Sequence, residues 1–209
     1  MSTLAAIPAV ALLFVGSVAA QEDATTDATP SRVVNPSECA VEPVSAADLS
    51  ATLTAEATTE GFTMQIPLGT PADAATTTKV TDTVRQLFAC LNGGEYLRGA
   101  ALATPNGARL LFGGLAAGGP DALTASLEAT PTARTEEGYL RVLAITDVSV
   151  LADGKIAAFV ILNEPILPPR GPETKLFIFQ PDGDQLKFDN MISFSVVPPA
   201  PAAEGTPTS

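Results

Sequence analysis

The sequence contains no histidine and no tryptophan, only two cysteines, and 11 basic residues against 23 acidic ones. Without histidine, the chain cannot use a Ser-His-Asp or Cys-His mechanism, a histidine general base or histidine-ligated zinc. The two cysteines, Cys39 and Cys90, are too far apart for a CxxC motif or a thiolate metal site. Neither a glycine-rich dinucleotide motif nor a Gly-Lys-Ser/Thr phosphate loop occurs. We therefore expect no metal, no cofactor and no catalytic residues.

Basic residues are also scattered. The formal net charge is −12, and no run of Lys and Arg is interleaved with aromatic residues. This excludes the usual nucleic-acid-binding surfaces. The acids concentrate between Gln21 and Glu60, and an acidic stretch ahead of a domain most often keeps a segment solvated.

The first residues indicate export. The run from Leu4 to Ala20 is apolar, and Val18-Ala19-Ala20 supplies the small residues that a signal peptidase accepts. The alternative is a retained membrane anchor, which Pro8 and the shortness of the run disfavour. Met1-Ser2-Thr3 lacks the basic residue that usually opens a signal peptide. We predict a secreted or extracytoplasmic protein without stable membrane association after processing.

Composition divides the chain into five segments. They are a signal peptide (1–20), a disordered acidic linker (21–37), an N-terminal arm (38–70), an α+β domain (71–197) and a disordered tail (198–209).

Cys39 and Cys90 are predicted to form a disulfide. An even number of cysteines without metal-type spacing is typical of disulfides in an exported chain. The alternative is a pair of buried free thiols.

The first half of the domain shows helical patterns. Thr70-Pro71 is typical of a helix start, with Thr70 as the cap and Pro71 at the first helical position. Apolar residues then recur at helical spacing up to Leu91, and Gly93-Gly94 is expected to end the helix. Shorter helices are predicted over 95–103 and 120–129, joined by a loose glycine-rich connection.

The last third changes to a strand pattern. Four segments rich in Val, Ile, Leu and Phe cover residues 139–151, 155–164, 174–180 and 186–197. Asp153-Gly154 and Asp182-Gly183 are typical of tight hairpin turns. The prediction is an α+β fold in which N-terminal helices pack on one face of a curved antiparallel sheet of about four strands.

One junction carries a family resemblance. The long helix ends in Ala89-Cys90-Leu91-Asn92-Gly93-Gly94-Glu95-Tyr96, followed by a second helix and a terminal meander. This pattern resembles the nuclear transport factor 2-like superfamily over roughly residues 71–197, and most of all its secreted bacterial members. The resemblance implies a cone-like fold that encloses a pocket. That superfamily includes isomerases, dehydratases, cyclases and hydrolases beside pure binding and dimerisation domains, so the fold alone does not assign an activity.

Two polar residues interrupt apolar strand faces. Thr146 in the first strand and Asn190 in the last occupy positions on a face that otherwise carries apolar residues. This makes them candidate polar contacts in an apolar ligand pocket. The alternative is that they are hydrogen-bonded structural groups. Four charged strand residues are expected to point to solvent, on the face opposite the apolar positions. They are Arg141, Asp147, Glu164 and Asp189.

Three functional hypotheses follow. The first is an exported domain that binds a small hydrophobic ligand or a partner in a pocket. The second is an enzyme of the lyase or isomerase type that uses pocket carboxylates. The third is a structural module that forms a homodimer.

Overall fold

The computed structural model describes residues 32–55, 69–165 and 172–194. The predicted signal peptide, most of the linker and the tail lie outside the described residues.

Helices come first along the described chain and long strands follow. The helices are α1 (Ala46–Thr54), α2 (Ala74–Gly93), α3 (Tyr96–Ala101), α4 (Pro105–Phe112) and α5 (Pro120–Glu128). The strands are β1 (Arg32–Val33), β2 (Thr70–Pro71), β3 (Arg141–Val150), β4 (Ile156–Asn163), β5 (Glu173–Asp182) and β6 (Gln185–Ser193). None of the helices in the described ranges is long and apolar enough to cross a membrane.

The strands form one antiparallel sheet. β3, β4, β5 and β6 are neighbours in chain order, while β1 pairs with the start of β3 and β2 with its end. The α+β class is confirmed. The described sheet has six strands where about four were predicted, because the two-residue strands β1 and β2 join the four long ones.

The start of α2 differs from the prediction. Thr70 and Pro71 do not begin the helix, since they pair with Val150 and Ser149 of β3. Asp73 is the cap instead, and its carboxylate accepts a 2.7 Å hydrogen bond from the Thr76 backbone N–H. The predicted end is confirmed, because Gly94 adopts the left-handed conformation (φ 69°) that glycine allows.

The same Thr-Pro pattern does begin a helix at α4, in the region predicted to be a loose connection. The Thr104 hydroxyl accepts from the Gly107 N–H at 3.1 Å, and Pro105 occupies the first turn. The difference between the two Thr-Pro pairs is tertiary, because Thr70 and Pro71 both pair along β3, whereas the chain before Pro105 makes an isolated bridge to Phe188 of β6 and then turns into the helix.

The core lies between the helices and one face of the sheet, here called the inner face. α2 contributes its apolar stripe, Val80, Val84, Leu87 and Phe88, all buried. The inner face carries Val142, Ile156, Ala158, Val160, Leu162, Phe177, Phe179 and Phe188. The opposite, outer face carries a smaller apolar cluster around Ala157, Leu176 and Ile178.

Bulges interrupt the alternation of β3 and β6. In β3 the register shifts between Val142 and Ala144, and again between Thr146 and Ser149. In β6 Asp189 is the extra residue between Phe188 and Asn190. Since side chains alternate between faces, one inserted residue moves every following side chain to the other face.

A disulfide joins Cys39 to Cys90, as predicted, with a Cα–Cα distance of 4.8 Å. It links residues 51 apart in sequence, for which the chain-entropy model gives a stabilisation of about 4 kcal/mol. Next to it, Glu38 forms an ion pair with Arg85 of α2.

Asn92 forms hydrogen bonds that hold the segment just after β1 against the domain. Its fully buried amide donates to the carbonyls of Val34 and Leu140 at 3.0 Å each, and its oxygen accepts from the Leu140 N–H at 2.8 Å. Asn92 therefore connects the end of α2 to both the start of β3 and the chain just after β1.

Candidate functional site

An apolar cleft of about 190 Å³ opens between α2, α4 and the inner face of the sheet. We call it the inner cleft. Its apolar lining residues are Leu87, Phe88, Leu91, Leu110, Leu111, Leu140, Leu162, Phe177 and Met191. Its charged lining residues are Arg134, Glu164 and Lys175. A mostly apolar concave site with a few polar groups is the usual form of a small-molecule site.

The apolar walls come from the regular elements. The α2 stripe supplies one wall, and Phe88 stacks on Phe177 of β5 with ring centroids 6.3 Å apart. α4 supplies the opposite wall through Leu110 and Leu111. Met191 reaches the cleft because the bulge at Asp189 places it opposite Phe177, on the inner face.

Arg134 is the most informative polar residue of the inner cleft. Its backbone N–H donates to the Asn92 carbonyl at 2.8 Å, which holds the segment after α5 against the end of α2. Its Nη1 atom is buried and has no hydrogen-bond partner. Leaving a buried donor unpaired costs about 1–3 kcal/mol, and more when the group is charged. The fold therefore places, at the border of the cleft, a guanidinium group with one nitrogen that has no hydrogen-bond partner.

Lys175 and Glu164 complete the charged part of the cleft. Lys175 pairs with Val160, so its side chain is on the inner face, where it is only 14% exposed. Its Nζ lies 3.5 Å from a Glu173 carboxylate oxygen. Glu164, just after β4, is half-buried. Within the described ranges, no salt bridge joins Glu164 to Arg134 or Lys175.

Thr146 and Asn190 do not line the inner cleft. Thr146 pairs with Phe159, and Asn190 with Ile178, both of which belong to the outer cluster. The expectation that they share the inward face is wrong, because the bulges of β3 and β6 turn these two positions outward. Their role as ligand contacts stays a prediction, one that now concerns the outer face. The Asn190 side chain also accepts a 2.7 Å hydrogen bond from the Met191 N–H.

Of the four charged strand residues expected to point to solvent, one does and three are at least partly buried. Arg141 is half-buried, and its Nε is buried. Asp147 is exposed at the second β3 bulge, as expected, and has a positive φ of 52°. Glu164 is not directed wholly to solvent, since it lines the inner cleft. Asp189 was expected at the surface but is buried. Its carboxylate accepts from the Thr104 hydroxyl at 2.6 Å and from Lys155 Nζ at 2.9 Å.

Asp189 belongs to a structural contact that we call the α4 anchor, formed by Thr104, Asn106, Gly107, Phe188 and Asp189. The Thr104 N–H donates to the Phe188 carbonyl at 2.9 Å, and the Asn106 side chain donates to the Asp189 carbonyl at 2.9 Å. These bonds cover the free edge of β6, which would otherwise present unpaired backbone groups. Because both Asp189 carboxylate oxygens have partners, its burial has a structural explanation.

Two other clefts are larger but differ in lining. One, of about 270 Å³, lies between α2 and the β5–β6 turn and is bordered by the exposed polar residues Lys79, Asp82 and Asp184. The other, of about 260 Å³, lies beside the α2–α3 junction and the end of α5. We place the site at the inner cleft because nine of its twelve lining residues are apolar, and because Arg134, whose Nη1 is unpaired, is one of the other three. Over the described ranges, no group of three or more Asp, Glu or Cys side chains could hold a metal ion.

The sequence analysis did not single out Arg134 or Lys175, and it expected Glu164 to point to solvent. A signal existed for Lys175, since it alternates with Phe177 and Phe179 and so shares their face. No local signal marks Arg134, which lies outside any periodic segment. Compared with protein-family models, curated proteins and solved structures, the chain matches none of them.

Proposed function

We propose that this chain is an exported domain that binds a small, mostly apolar ligand in the inner cleft. The observation that carries the proposal is the cleft of about 190 Å³ between α2, α4 and the sheet, most of whose lining residues are apolar. An engineered apolar cavity of about 150 Å³ accepts benzene, so this one has room for roughly six to eight non-hydrogen atoms.

Two further observations support the proposal. Helices that precede an antiparallel meander are consistent with the resemblance to the nuclear transport factor 2-like superfamily, whose cone-like fold would enclose such a pocket. The Cys39–Cys90 disulfide supports an oxidising, extracytoplasmic destination, together with the apolar run before Gln21.

The test uses neutral ligands of graded length. Titration with 1-butanol to 1-decanol, followed by ¹H–¹⁵N NMR, should shift the amide signals of Leu91, Phe177 and Met191. Each added methylene should tighten binding about fourfold, because burying one contributes about 0.8 kcal/mol, up to the length that fills the cleft.

A blocking variant makes the test specific. Leu111→Trp places a large ring in the cleft and should abolish these shifts. Leu151→Trp makes the same change at a half-buried position beside the outer cluster and should leave them intact. If the affinity kept increasing with chain length without a plateau and were unaffected by Leu111→Trp, the inner cleft would be excluded as the site.

Glu164 favours a second candidate function, an enzyme of the lyase or isomerase type. A carboxylate at the edge of an apolar cleft can act as a general base. Its test is deuterium exchange into small apolar ketones in D₂O, which wild type should catalyse and Glu164→Gln should not. Ketones that bind without exchange would rule out this function.

A further inference from the structure

We propose that the ligand of the inner cleft carries one carboxylate, which Arg134 binds with the help of Lys175. The inference rests on the proposed function and adds the chemical class of the ligand: a short aliphatic or aromatic monocarboxylate. The apolar part would lie against Phe88 and Phe177, and the carboxylate would lie at Arg134.

The unpaired Nη1 of Arg134 is the first argument. This atom is buried and lacks a hydrogen-bond partner, although its backbone is held firmly by the Asn92 carbonyl. An arginine fork matches the geometry of a carboxylate and can bind it through two parallel hydrogen bonds. A carboxylate that reached this guanidinium would give Nη1 a charged acceptor.

Lys175 adds the second argument. Its side chain is largely buried on the inner face, and the distance from Nζ to Glu173 is long, at 3.5 Å. A carboxylate held by Arg134 would gain from this second positive charge within the same cleft. An apolar environment strengthens such interactions relative to water.

The size of the cleft restricts the ligand. Of the roughly six to eight non-hydrogen atoms that about 190 Å³ can hold, a carboxylate takes three, which leaves room for about three to five carbon atoms. A longer chain would extend out of the described cleft into solvent.

Glu164 supplies the competing explanation. If its carboxylate turned onto Arg134 in solution, the two would form a structural ion pair and no site would remain. The comparison of wild type with Glu164→Gln separates the cases: an ion pair would leave wild type without a hexanoate preference and Glu164→Gln would create one, whereas the proposal expects the preference already in wild type. The proposal predicts that carboxylate binding persists or tightens in Glu164→Gln, because a negative charge has been removed from the cleft.

The experiment compares 1-hexanol with hexanoate, which have the same chain length and differ in the charged group. By NMR titration, wild type should bind hexanoate about tenfold to a hundredfold more tightly than hexanol, the range of a charge-assisted hydrogen bond. Arg134→Gln should abolish that preference, and Lys175→Gln should reduce it. Arg141→Gln is the matched control. The Arg141 Nε is also buried and unpaired, but it belongs to a residue outside the cleft lining, so its loss should leave the preference unchanged.

The outcomes distinguish the two proposals. If hexanol binds in the cleft but hexanoate binds no more tightly, or if Arg134→Gln leaves the preference intact, the carboxylate inference is overturned while the proposed function stands. If neither ligand binds, the proposed function itself fails. A hexanoate preference that disappears only in Arg134→Gln and weakens in Lys175→Gln supports both.

Discussion

The two ends of α4 meet the sheet in different ways. At its start, the α4 anchor pairs the side chains of Thr104, Asn106 and Asp189 with a neighbouring group. At its end, Leu110 and Leu111 line the inner cleft, where the Nη1 of Arg134 has no partner. Buried polar groups that hold a fold are normally paired, and exceptions concentrate at functional sites. The contrast therefore separates the part of α4 that fixes the fold from the part that we propose binds a ligand.

The largest expected effect is at the anchor, for Gly107→Ala. A Cβ atom at Gly107 would lie 2.1 Å from the Phe188 carbonyl oxygen, a backbone atom that cannot move without breaking the β6 edge contacts. We expect urea denaturation to show a loss of about 3 kcal/mol in the free energy of unfolding. Gly114→Ala is the control, since nothing lies within 4 Å of its added Cβ. Equal effects of the two variants would show that the anchor is not tightly packed.

Asp189→Ala should destabilise the fold by a smaller amount. It removes the acceptor of the Thr104 hydroxyl and of Lys155 Nζ, but Lys155 is 36% exposed and can return to water. We expect a loss of about 1–3 kcal/mol in urea denaturation. Asp189→Asn keeps an acceptor for Thr104 and should lose less. If Asp189→Ala were as stable as wild type, this result would contradict the structural role of the buried carboxylate.

Arg134→Met should have the opposite sign. It replaces an unpaired buried guanidinium by an apolar side chain, so thermal or urea denaturation should show a gain of about 1 kcal/mol. Arg98→Met provides the comparison, because Arg98 Nη1 donates to the Val41 carbonyl at 2.8 Å and its loss should destabilise. Destabilisation of equal size by both changes would mean that Arg134 is paired in solution.

Asp73→Ala should give the smallest loss of stability. It compares the contribution of an exposed hydrogen bond with that of the buried ones. Hydrogen bonds from the Thr76 side chain and backbone lower the pKa of the Asp73 carboxyl below its ordinary value of 3.8. The stabilisation is therefore present above that ordinary value and is lost as the pH falls through the lowered pKa. The stability difference between wild type and Asp73→Ala should shrink over this acidic range. A stability difference that stays constant over this range would contradict the role of the Asp73 hydrogen bonds.

Local patterns predicted the elements whose signals are local. The α2 stripe, the Gly94 stop, the two Asp-Gly hairpins and the Cys39–Cys90 disulfide all depend on spacing or on a turn residue. The α+β class followed from their order. The two Thr-Pro pairs show where this information ends, since the same dipeptide begins a helix at Thr104 and pairs with β3 at Thr70.

The site depends on features that have no local signal. Three bulges decide which strand residues face the helices, and an alternating sequence does not show where one residue is inserted. Thr146, Asp189 and Asn190 were all assigned to the wrong face for this reason. Arg134 reaches the cleft from a connection, through a backbone contact with Asn92 that only the folded chain creates.

A crystal structure of the protein with bound hexanoate would test the account most directly. We predict that the carboxylate lies about 2.7–2.9 Å from the Nη1 of Arg134, with the alkyl chain against Phe88 and Phe177. Hexanoate on the outer face beside Thr146 or Asn190, or an empty inner cleft with Glu164 bonded to Arg134, would contradict it.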